Sequence, residues 1–275
     1  LGRLPARSER ANADRPADAP ASRTDAADPD PDPDRQSDAE RPVPADWVYP
    51  VGPRTKRMRE YDTTADGFDF NNPGSPIGVV VRHISQPEGG GGPDAFAVRI
   101  ERVSPRIESP HIRTTELLEA PDGSVSLAGV SSAKDEREGG DMRHFRYEPP
   151  LGLAPSTLER GDDFESAAEM IEYREGQPDS VVLKGDAERT FRALSRDEIE
   201  QLFGTGAPDL PGVLEVLEIT IGPAKVDQRV ARLVREGVGA VRELDERTVK
   251  VFGFTTDSHS ILYILDEHTR GDTRD

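Results

Sequence analysis

The chain has 275 residues, of which 35 are basic and 53 are acidic, and its formal net charge is −18 at pH 7. A surface of this sign repels phosphate backbones and anionic lipids, which argues against nucleic acid or peripheral membrane binding. There is no cysteine, so disulfides, thiolate metal ligands, iron–sulfur clusters and thiol nucleophiles are excluded. The longest apolar stretches, such as 261–265, are too short to span a bilayer as a helix.

Residues 1–46 contain eight Pro, eleven acidic residues, seven Arg and no aromatic residue. This composition buries too little apolar surface to offset the entropy of ordering, which predicts a disordered acidic spacer. The alternating Asp and Pro of residues 28–34 favour extended polyproline II. They do not form an EF-hand loop, because Pro33 and Ala39 stand where that loop needs its Gly and its Glu.

The chain begins with Leu1 rather than Met, from which we expect that a preceding segment has been removed. One interpretation is a cleaved signal peptide, since a polar spacer then holds an exported domain away from a surface. A lipidated Cys before Leu1 would turn the spacer into a tether. The other interpretation is one domain of a longer polypeptide. We predict an exported protein of the periplasm, cell envelope or extracellular space.

From Trp47 onward the chain alternates short β-type runs with turn signals, which predicts one antiparallel β-rich domain at 47–267 and a disordered tail at 268–275. In the run at 141–148, Phe145 and Tyr147 share one face and His144 the other, and the two following prolines are expected to end the strand. The predicted strands are 47–50, 77–84, 95–103, 112–119, 124–131, 141–148, 164–174, 180–194 and 212–221.

Residues 226–234 fit a helix face and a strand about equally well. The nearby Gly237 and Gly239 favour a strand, because paired glycines are costly in a helix, and we interpret them as a strand kink. A last hairpin is predicted from 248–255 and 260–265, with its turn at 256–259.

One helix is predicted, beginning at Ser195. Ser195 and Glu198 form the capping-box pattern, in which the serine caps the first turn and the glutamate reaches back to the amide of the cap. Ile199, Leu202 and Phe203 supply an apolar stripe before Gly204 ends the helix.

Two short motifs resemble functional signatures, and we interpret both as coincidence. Ser131-Ser-Ala-Lys134 matches the Ser-x-x-Lys pattern of penicilloyl-serine enzymes, but their partner motifs are absent. The segment from Gly237 to Arg242 begins like a dinucleotide loop, but Arg242 stands in place of the third glycine. A Gly-x-Ser-x-Gly elbow and a P-loop are also absent. Trp47, the only tryptophan, is expected to anchor the core rather than to form a ligand platform.

The titratable residues do not single out a site. None of the five histidines, at 83, 111, 144, 259 and 268, forms the short-range pair that seeds a zinc site. Abundant carboxylates leave a general acid/base pair open; examples are Asp162, Asp163, Glu165, Glu169 and Glu172. The sequence therefore assigns no catalytic, cofactor-binding or metal-ligating residue, and no cofactor.

Three stretches, at 47–52, 148–161 and 236–242, together resemble uncharacterised exported bacterial β-domains related to the LolA-like lipoprotein and lipid carriers. The resemblance covers most of residues 47–265, although the long spacer and the 89–93 loop depart from it. It implies a single strongly curved antiparallel sheet or half-barrel whose apolar concave face is partly covered by a helix. The helix at 195–203 is the candidate cover.

The resemblance implies a function without a catalytic residue. We expect a non-enzymatic exported binding or interaction domain that holds a lipid-like ligand or a protein segment in an apolar concavity. The alternatives are a carboxylate-based hydrolase of the cell envelope and a structural scaffold without a pocket. Nucleic acid is not an expected partner, and the sequence leaves the oligomeric state undetermined.

Overall fold

The computed structural model describes residues 41–50, 52–64, 66–85, 95–103, 111–133 and 142–270. Most of the predicted spacer, the tip of the predicted 77–103 hairpin, Lys134 and residues 271–275 lie outside the described residues. The elements are β1 (Val43–Pro44), α1 (Ala45–Val48), β2 (Arg54–Asp62), β3 (Gly78–Ser85), β4 (Ala95–Val103), β5 (His111–Glu119), β6 (Val125–Ala133), β7 (Met142–Ala154), β8 (Thr157–Leu158), β9 (Asp163–Arg174), β10 (Gln177–Leu194), α2 (Arg196–Phe203), β11 (Gly212–Ile221), β12 (Ala224–Arg235), β13 (Gly239–Val251) and β14 (Phe254–Arg270).

The long strands form a closed antiparallel barrel. Their order is β10-β11-β12-β13-β14-β2-β3-β4-β5-β6-β7-β9, and β9 pairs again with β10. The mainly β class is confirmed, but the expected open sheet or half-barrel is wrong. The sheet closes because both neighbours of every long strand are themselves strands, which leaves no unpaired edge.

The strand predictions hold best where alternation is regular. Strands β4 and β11 have the predicted bounds, and β12 confirms the strand interpretation of 226–234. Strand β7 does not end at the prolines but continues through Pro149 and Pro150 to Ala154. The prolines fall where the pairing with β6 shifts, between Arg146 and Leu151, and a bulge of this kind needs no amide donor from the proline.

The predicted position of the last turn is wrong. Strands β13 and β14 are joined at Phe252 and Gly253, both with positive φ, at 52° and 82°. Residues 256–259 lie instead inside β14. Their polar composition reflects exposure at the end of the barrel rather than a turn. Gly237, with φ of 67°, lies in the connection between β12 and β13, so the expected strand kink is also wrong.

One end of the barrel is filled by the segment Val43–Pro50, which we call the plug. Its β1 pairs with β8, and the Ala45 amide donates to the Ser156 carbonyl at 3.1 Å. Trp47 and Val48 are buried in the main core cluster. Trp47 thus anchors the core as predicted, but it lies on the helical turn α1 and not on the predicted first strand. A small enclosed apolar segment is favoured here because burial of its side chains offsets the entropy of ordering it.

The second helix packs on the outside of the barrel. Leu214, Leu233, Leu244 and Leu262 point outward from their strands and form a separate apolar cluster with α2. Phe68 and Phe70, in edge-to-face contact at 5.0 Å, pack against the same cluster. The expectation that this helix covers the concave face is therefore wrong, because its apolar stripe packs against the outer side of β10–β14 and β2.

The predicted capping box is confirmed. The Glu198 amide donates to the Ser195 hydroxyl at 3.3 Å, and the Ser195 amide donates to the Glu198 carboxylate at 2.9 Å. We expect Ser195→Ala to lower the free energy of unfolding by about 1 kcal/mol, since the first turn then loses its acceptor. Urea denaturation measures this. Ser258→Ala, in the exposed part of β14, is the control and should change stability by less than about 0.5 kcal/mol.

Candidate functional site

The alternation of side chains separates an inner from an outer face of the barrel. On β11, Val213, Glu215 and Leu217 face the same side as the plug, whereas Leu214 faces α2. Cross-strand partners in an antiparallel sheet share a face, so the register carries this assignment around the barrel. The inner face encloses the space that we call the lumen.

The two ends of the lumen differ. The plug fills one end. The other end, which we call the mouth, is where the β9–β10, β11–β12 and β13–β14 hairpins turn. There the Phe252 amide donates to the Pro223 carbonyl at 3.0 Å, which ties two of these hairpins together. Phe252 and Phe254 are 77% and 75% exposed at this rim. The mouth thus presents apolar side chains to solvent.

The wall between plug and mouth carries apolar side chains that are only partly buried, beside charged pairs such as Arg143 with Glu172 and Arg102 with Glu60. Side chains alone can fill the interior of an eight-stranded barrel, and a 12-stranded barrel is wider. The inward-facing apolar side chains that stay partly exposed lie on four strands. They are Val98 and Ile100 of β4, Phe145 of β7, Leu217, Ile219 and Ile221 of β11, and Val226 of β12.

Below this wall, next to the plug, lies a group of charged and hydrogen-bonded side chains that we call the floor network. Glu215 accepts hydrogen bonds from Arg189 at 2.8 Å, from Arg232 at 2.5 Å and from the Tyr49 hydroxyl at 3.0 Å. Arg189 also donates to the Gly152 carbonyl at 2.9 Å and to the Leu153 carbonyl. The network therefore joins β7, β10, β11 and β12 to the plug.

The floor network continues to the opposite wall through Glu243. Arg82 binds both carboxylate oxygens of Glu243, at 3.0 and 2.6 Å, and Arg232 donates to it at 2.9 Å. The Arg232 guanidinium also lies 5.8 Å from the centre of the Tyr49 ring. Two carboxylates are thus shared among three arginines, and bidentate pairs of this kind are among the stronger charge-assisted hydrogen bonds.

The arginines keep both floor carboxylates ionised. Burial opposes ionisation, but Arg189 and Arg232 outweigh it and hold the pKa of Glu215 well below its usual range. Against the same effect of burial, Arg82 and Arg232 hold the pKa of Glu243 at about 2. Burial and the neighbouring Glu215 raise the pKa of Tyr49 to about 12. The Tyr49 hydroxyl therefore stays a donor at neutral pH.

Other inner carboxylates are also engaged with donors. Arg143 binds Glu172 at 2.9 and 2.5 Å, and Arg102 binds the buried Glu60. Asp245 accepts from Gln228 at 2.8 Å, and burial raises the pKa of Asp245. A general acid/base pair requires two carboxylates converging on a free space, and this arrangement instead pairs them with cations or an amide.

The carboxylates that the sequence offered as examples do not converge. Glu172 faces inward, whereas Glu169 faces outward and binds Lys184 at 2.7 Å. Glu165 also faces outward from β9, because its neighbours Phe164 and Ser166 face inward. Asp162 and Asp163 lie apart from these, beside a shallow depression of about 310 Å³ between β8 and β9.

The histidines also stay apart. His83 contacts Thr55 at 3.1 Å and His144 contacts Ser131 at 2.9 Å, while His259 and His268 lie on β14. The Ser131–His144 pair lacks a carboxylate, since the other ring nitrogen of His144 is buried without a partner. Within the described residues no group of three or more His, Asp or Glu side chains could hold a metal ion.

The residues of the floor network were not predicted from the sequence. Charged side chains in an amphipathic strand are ordinarily assigned to the solvent side. Their spacing was the available signal. Glu215 is two residues from both Val213 and Leu217, so it lies on the same face of the strand as these apolar side chains. Arg189 is likewise in phase with Ala187 and Phe191. This phase indicates a charge on the core side of the strand.

The fold and site together define a closed antiparallel β-barrel with a plugged, charged floor and partly exposed apolar side chains on its inner wall. Comparison of the chain with protein-family models, curated proteins and solved structures gave no significant match. The resemblance to LolA-like carriers therefore stays a prediction. Neither described helix combines the length and the apolar character needed to cross a membrane.

Proposed function

We propose that the barrel is a non-enzymatic binding domain that takes a lipid-like ligand into its lumen through the mouth. The observation that carries this proposal is the wall of inward-facing apolar side chains that remain partly exposed, at Leu217, Ile219 and Ile221 of β11 and at Val98 and Ile100 of β4. Covering such surface is favourable by roughly 25 cal/mol per Å², so an apolar ligand gains affinity without covalent chemistry.

The position of the plug and the rim supports a single direction of entry. The plug and the floor network close one end, so a ligand reaches the apolar wall from the mouth. The exposed Phe252 and Phe254 of the rim extend the apolar surface outward, which favours first contact of an apolar molecule there. Export belongs to the same proposal and is supported by the acidic, Pro-rich spacer of residues 1–46.

Native mass spectrometry of the full chain purified from its own cells, followed by organic extraction, tests the proposal. We expect an additional mass that organic solvent removes and that is recovered as lipid. Repeated recovery of bare protein, together with no uptake of the neutral apolar probe N-phenyl-1-naphthylamine, would show a scaffold without a usable lumen.

Two neighbouring residues of β11 provide a matched pair of variants. Ile219 faces the lumen and Thr220 faces solvent. We expect Ile219→Glu to weaken uptake of N-phenyl-1-naphthylamine at least tenfold, because a ligand in contact with the new carboxylate must desolvate it. Thr220→Glu should bind the probe like the unmodified protein. If both variants lose uptake of the probe equally, and circular dichroism shows that both are folded, the probe binds outside the lumen.

A further inference from the structure

A group of four basic side chains lies at the plugged end of the barrel, at the start of β2 and the end of β14. We call Arg54, Lys56, His268 and Arg270 the basic cluster. In the register of the two strands Arg54 is directly opposite Arg270, and Lys56 is directly opposite His268. Directly opposed like charges destabilise a sheet, and two such pairs of basic side chains lie side by side here.

The cluster contains polar groups without a partner. Lys56 is only 4% exposed and makes no hydrogen bond or ion pair with any residue in the described ranges. The Nε2 atom of His268 is buried and is also without a partner. Buried polar groups are ordinarily hydrogen-bonded. The unpartnered Nε2 atom of His268, beside a lysine that makes no ion pair among the described residues, is therefore an exception that a bound ligand would resolve.

Charged groups on the neighbouring elements act on the cluster. Arg82 of β3 and Arg232 of β12 add positive charge near Lys56, and Glu243 of β13 opposes them. Both arginines already bind Glu243, at 2.6 and 2.9 Å. In the plug, Asp46 acts on Arg54. The described groups that act on Lys56 and His268 are thus mainly positive, within a chain whose net charge is −18.

The backbone of the β12–β13 connection lies directly against the cluster. Gly237 accepts hydrogen bonds through its carbonyl from Arg54 at 3.1 Å and from Arg270 at 3.2 Å. A Cβ atom at Gly237 would collide with the Arg270 guanidinium, and one at Gly239 would collide with the Lys56 amine. Both glycines have positive φ, at 67° and 84°. The turn between β12 and β13 thus brings its backbone against the cluster without side chains of its own.

We infer that the basic cluster is a binding site for a tetrahedral oxyanion of the phosphate class, held by Lys56, His268, Arg54 and Arg270 at the plugged end. This site is separate from the lumen and does not depend on the proposed lipid-like ligand. Such an anion accepts hydrogen bonds from several donors at once and neutralises opposed cations. Free phosphate and a phosphomonoester share this chemistry.

The electrostatics agree with the geometry. Burial, followed by the influence of Arg82, lowers the pKa of Lys56 to about 7. Burial and the nearby Lys56 and Arg54 lower the pKa of His268, and burial with Arg270 lowers the pKa of Arg54. A bound anion favours the protonated forms, so binding should take up protons and weaken as pH rises above 7.

Isothermal titration of the full chain with sodium sulfate tests the site, at constant ionic strength set with sodium chloride. Sulfate stays a dianion from pH 6 to 9, so a change of affinity over this range reports the protein. We expect binding at pH 6 that weakens about tenfold or more at pH 9. We also expect it to weaken by about tenfold or more in Lys56→Met and in His268→Gln at pH 6, which is the usual size of a lost charge-assisted bond.

Lys184→Met is the matched control, because Lys184 is exposed on β10 and binds only Glu169 among the described residues. It should bind sulfate like the unmodified protein. Inorganic phosphate and glycerol 3-phosphate, titrated at pH 6, then show which source of the oxyanion binds more tightly. Absence of saturable binding by sulfate, phosphate and glycerol phosphate would overturn the inference. Equal binding by Lys56→Met and the unmodified protein would do the same.

Discussion

Replacing Glu215 with alanine is expected to lower the free energy of unfolding by about 3 to 5 kcal/mol, the usual cost of removing one partner from a buried ion pair. The substitution leaves Arg189 and Arg232 without the carboxylate that they share at 2.8 and 2.5 Å. It also removes the acceptor of the Tyr49 hydroxyl. Urea denaturation followed by tryptophan fluorescence measures the loss, because Trp47 is in the adjacent plug.

Glu218→Ala is the control on the same strand. Glu218 faces outward and binds Lys225 at 2.5 Å at the surface, where an ion pair contributes less than about 1 kcal/mol. A second variant keeps the test decisive if Glu215→Ala does not fold. Replacing Tyr49, Arg189, Glu215 and Arg232 together with Phe, Met, Leu and Met leaves no former partner of Glu215 as a buried unpaired group, and we expect it to be more stable than Glu215→Ala. If Glu215→Ala lost no more free energy of unfolding than Glu218→Ala, this result would contradict the role of the floor network.

Replacing Lys56 with methionine is expected to stabilise the protein at and below neutral pH, in buffer without oxyanions. Folding lowers the pKa of Lys56 from 10.5 to about 7, first through burial and then through Arg82. Between these two values the unfolded chain binds more protons than the folded protein, so stability rises with pH across this window. The buried ammonium therefore costs on the order of 4 kcal/mol at pH 6, from about 1.4 kcal/mol per pKa unit.

Urea denaturation at pH 6 and pH 9, in chloride buffers, measures this effect. The unmodified protein should gain stability from pH 6 to 9, and Lys56→Met should be the more stable protein at pH 6 with a much smaller rise. Lys184→Met, a replacement of an exposed lysine, should keep the pH dependence of the unmodified protein. Identical pH profiles for Lys56→Met and the unmodified protein would show that Lys56 is not desolvated.

Local sequence patterns predicted most of the individual elements. Regular alternation located β4 and β11, and the Ser195–Glu198 capping box located the start of α2. Where prediction failed, a longer-range contact overrides the local signal. The prolines after Glu148 predicted the end of a strand. They lie instead in a bulge of β7, which forms because β6 pairs with β7 on both sides of it.

Trp47 shows the same limit for the site. Its apolar and aromatic surroundings indicate a core segment, which the structure confirms. The choice between strand and helical turn depends on β8, whose Ser156 carbonyl binds the Ala45 amide, and on Glu215, which accepts from the Tyr49 hydroxyl. These partners are more than 100 residues away in the chain, so no local window contains them.

By itself, the sequence determined an acidic chain without cysteine, a break in composition at Trp47, a mainly β domain and one capped helix, because composition, alternation and capping act over a few neighbouring residues. Only the tertiary structure decided that the sheet closes into a barrel, that α2 packs outside it, and which groups Glu215, Arg232 and Lys56 meet inside it. Closure depends on the pairing of β9 with both β7 and β10, and the inward charges depend on partners on other strands. Both are set by long-range register, which residue patterns along one strand do not contain.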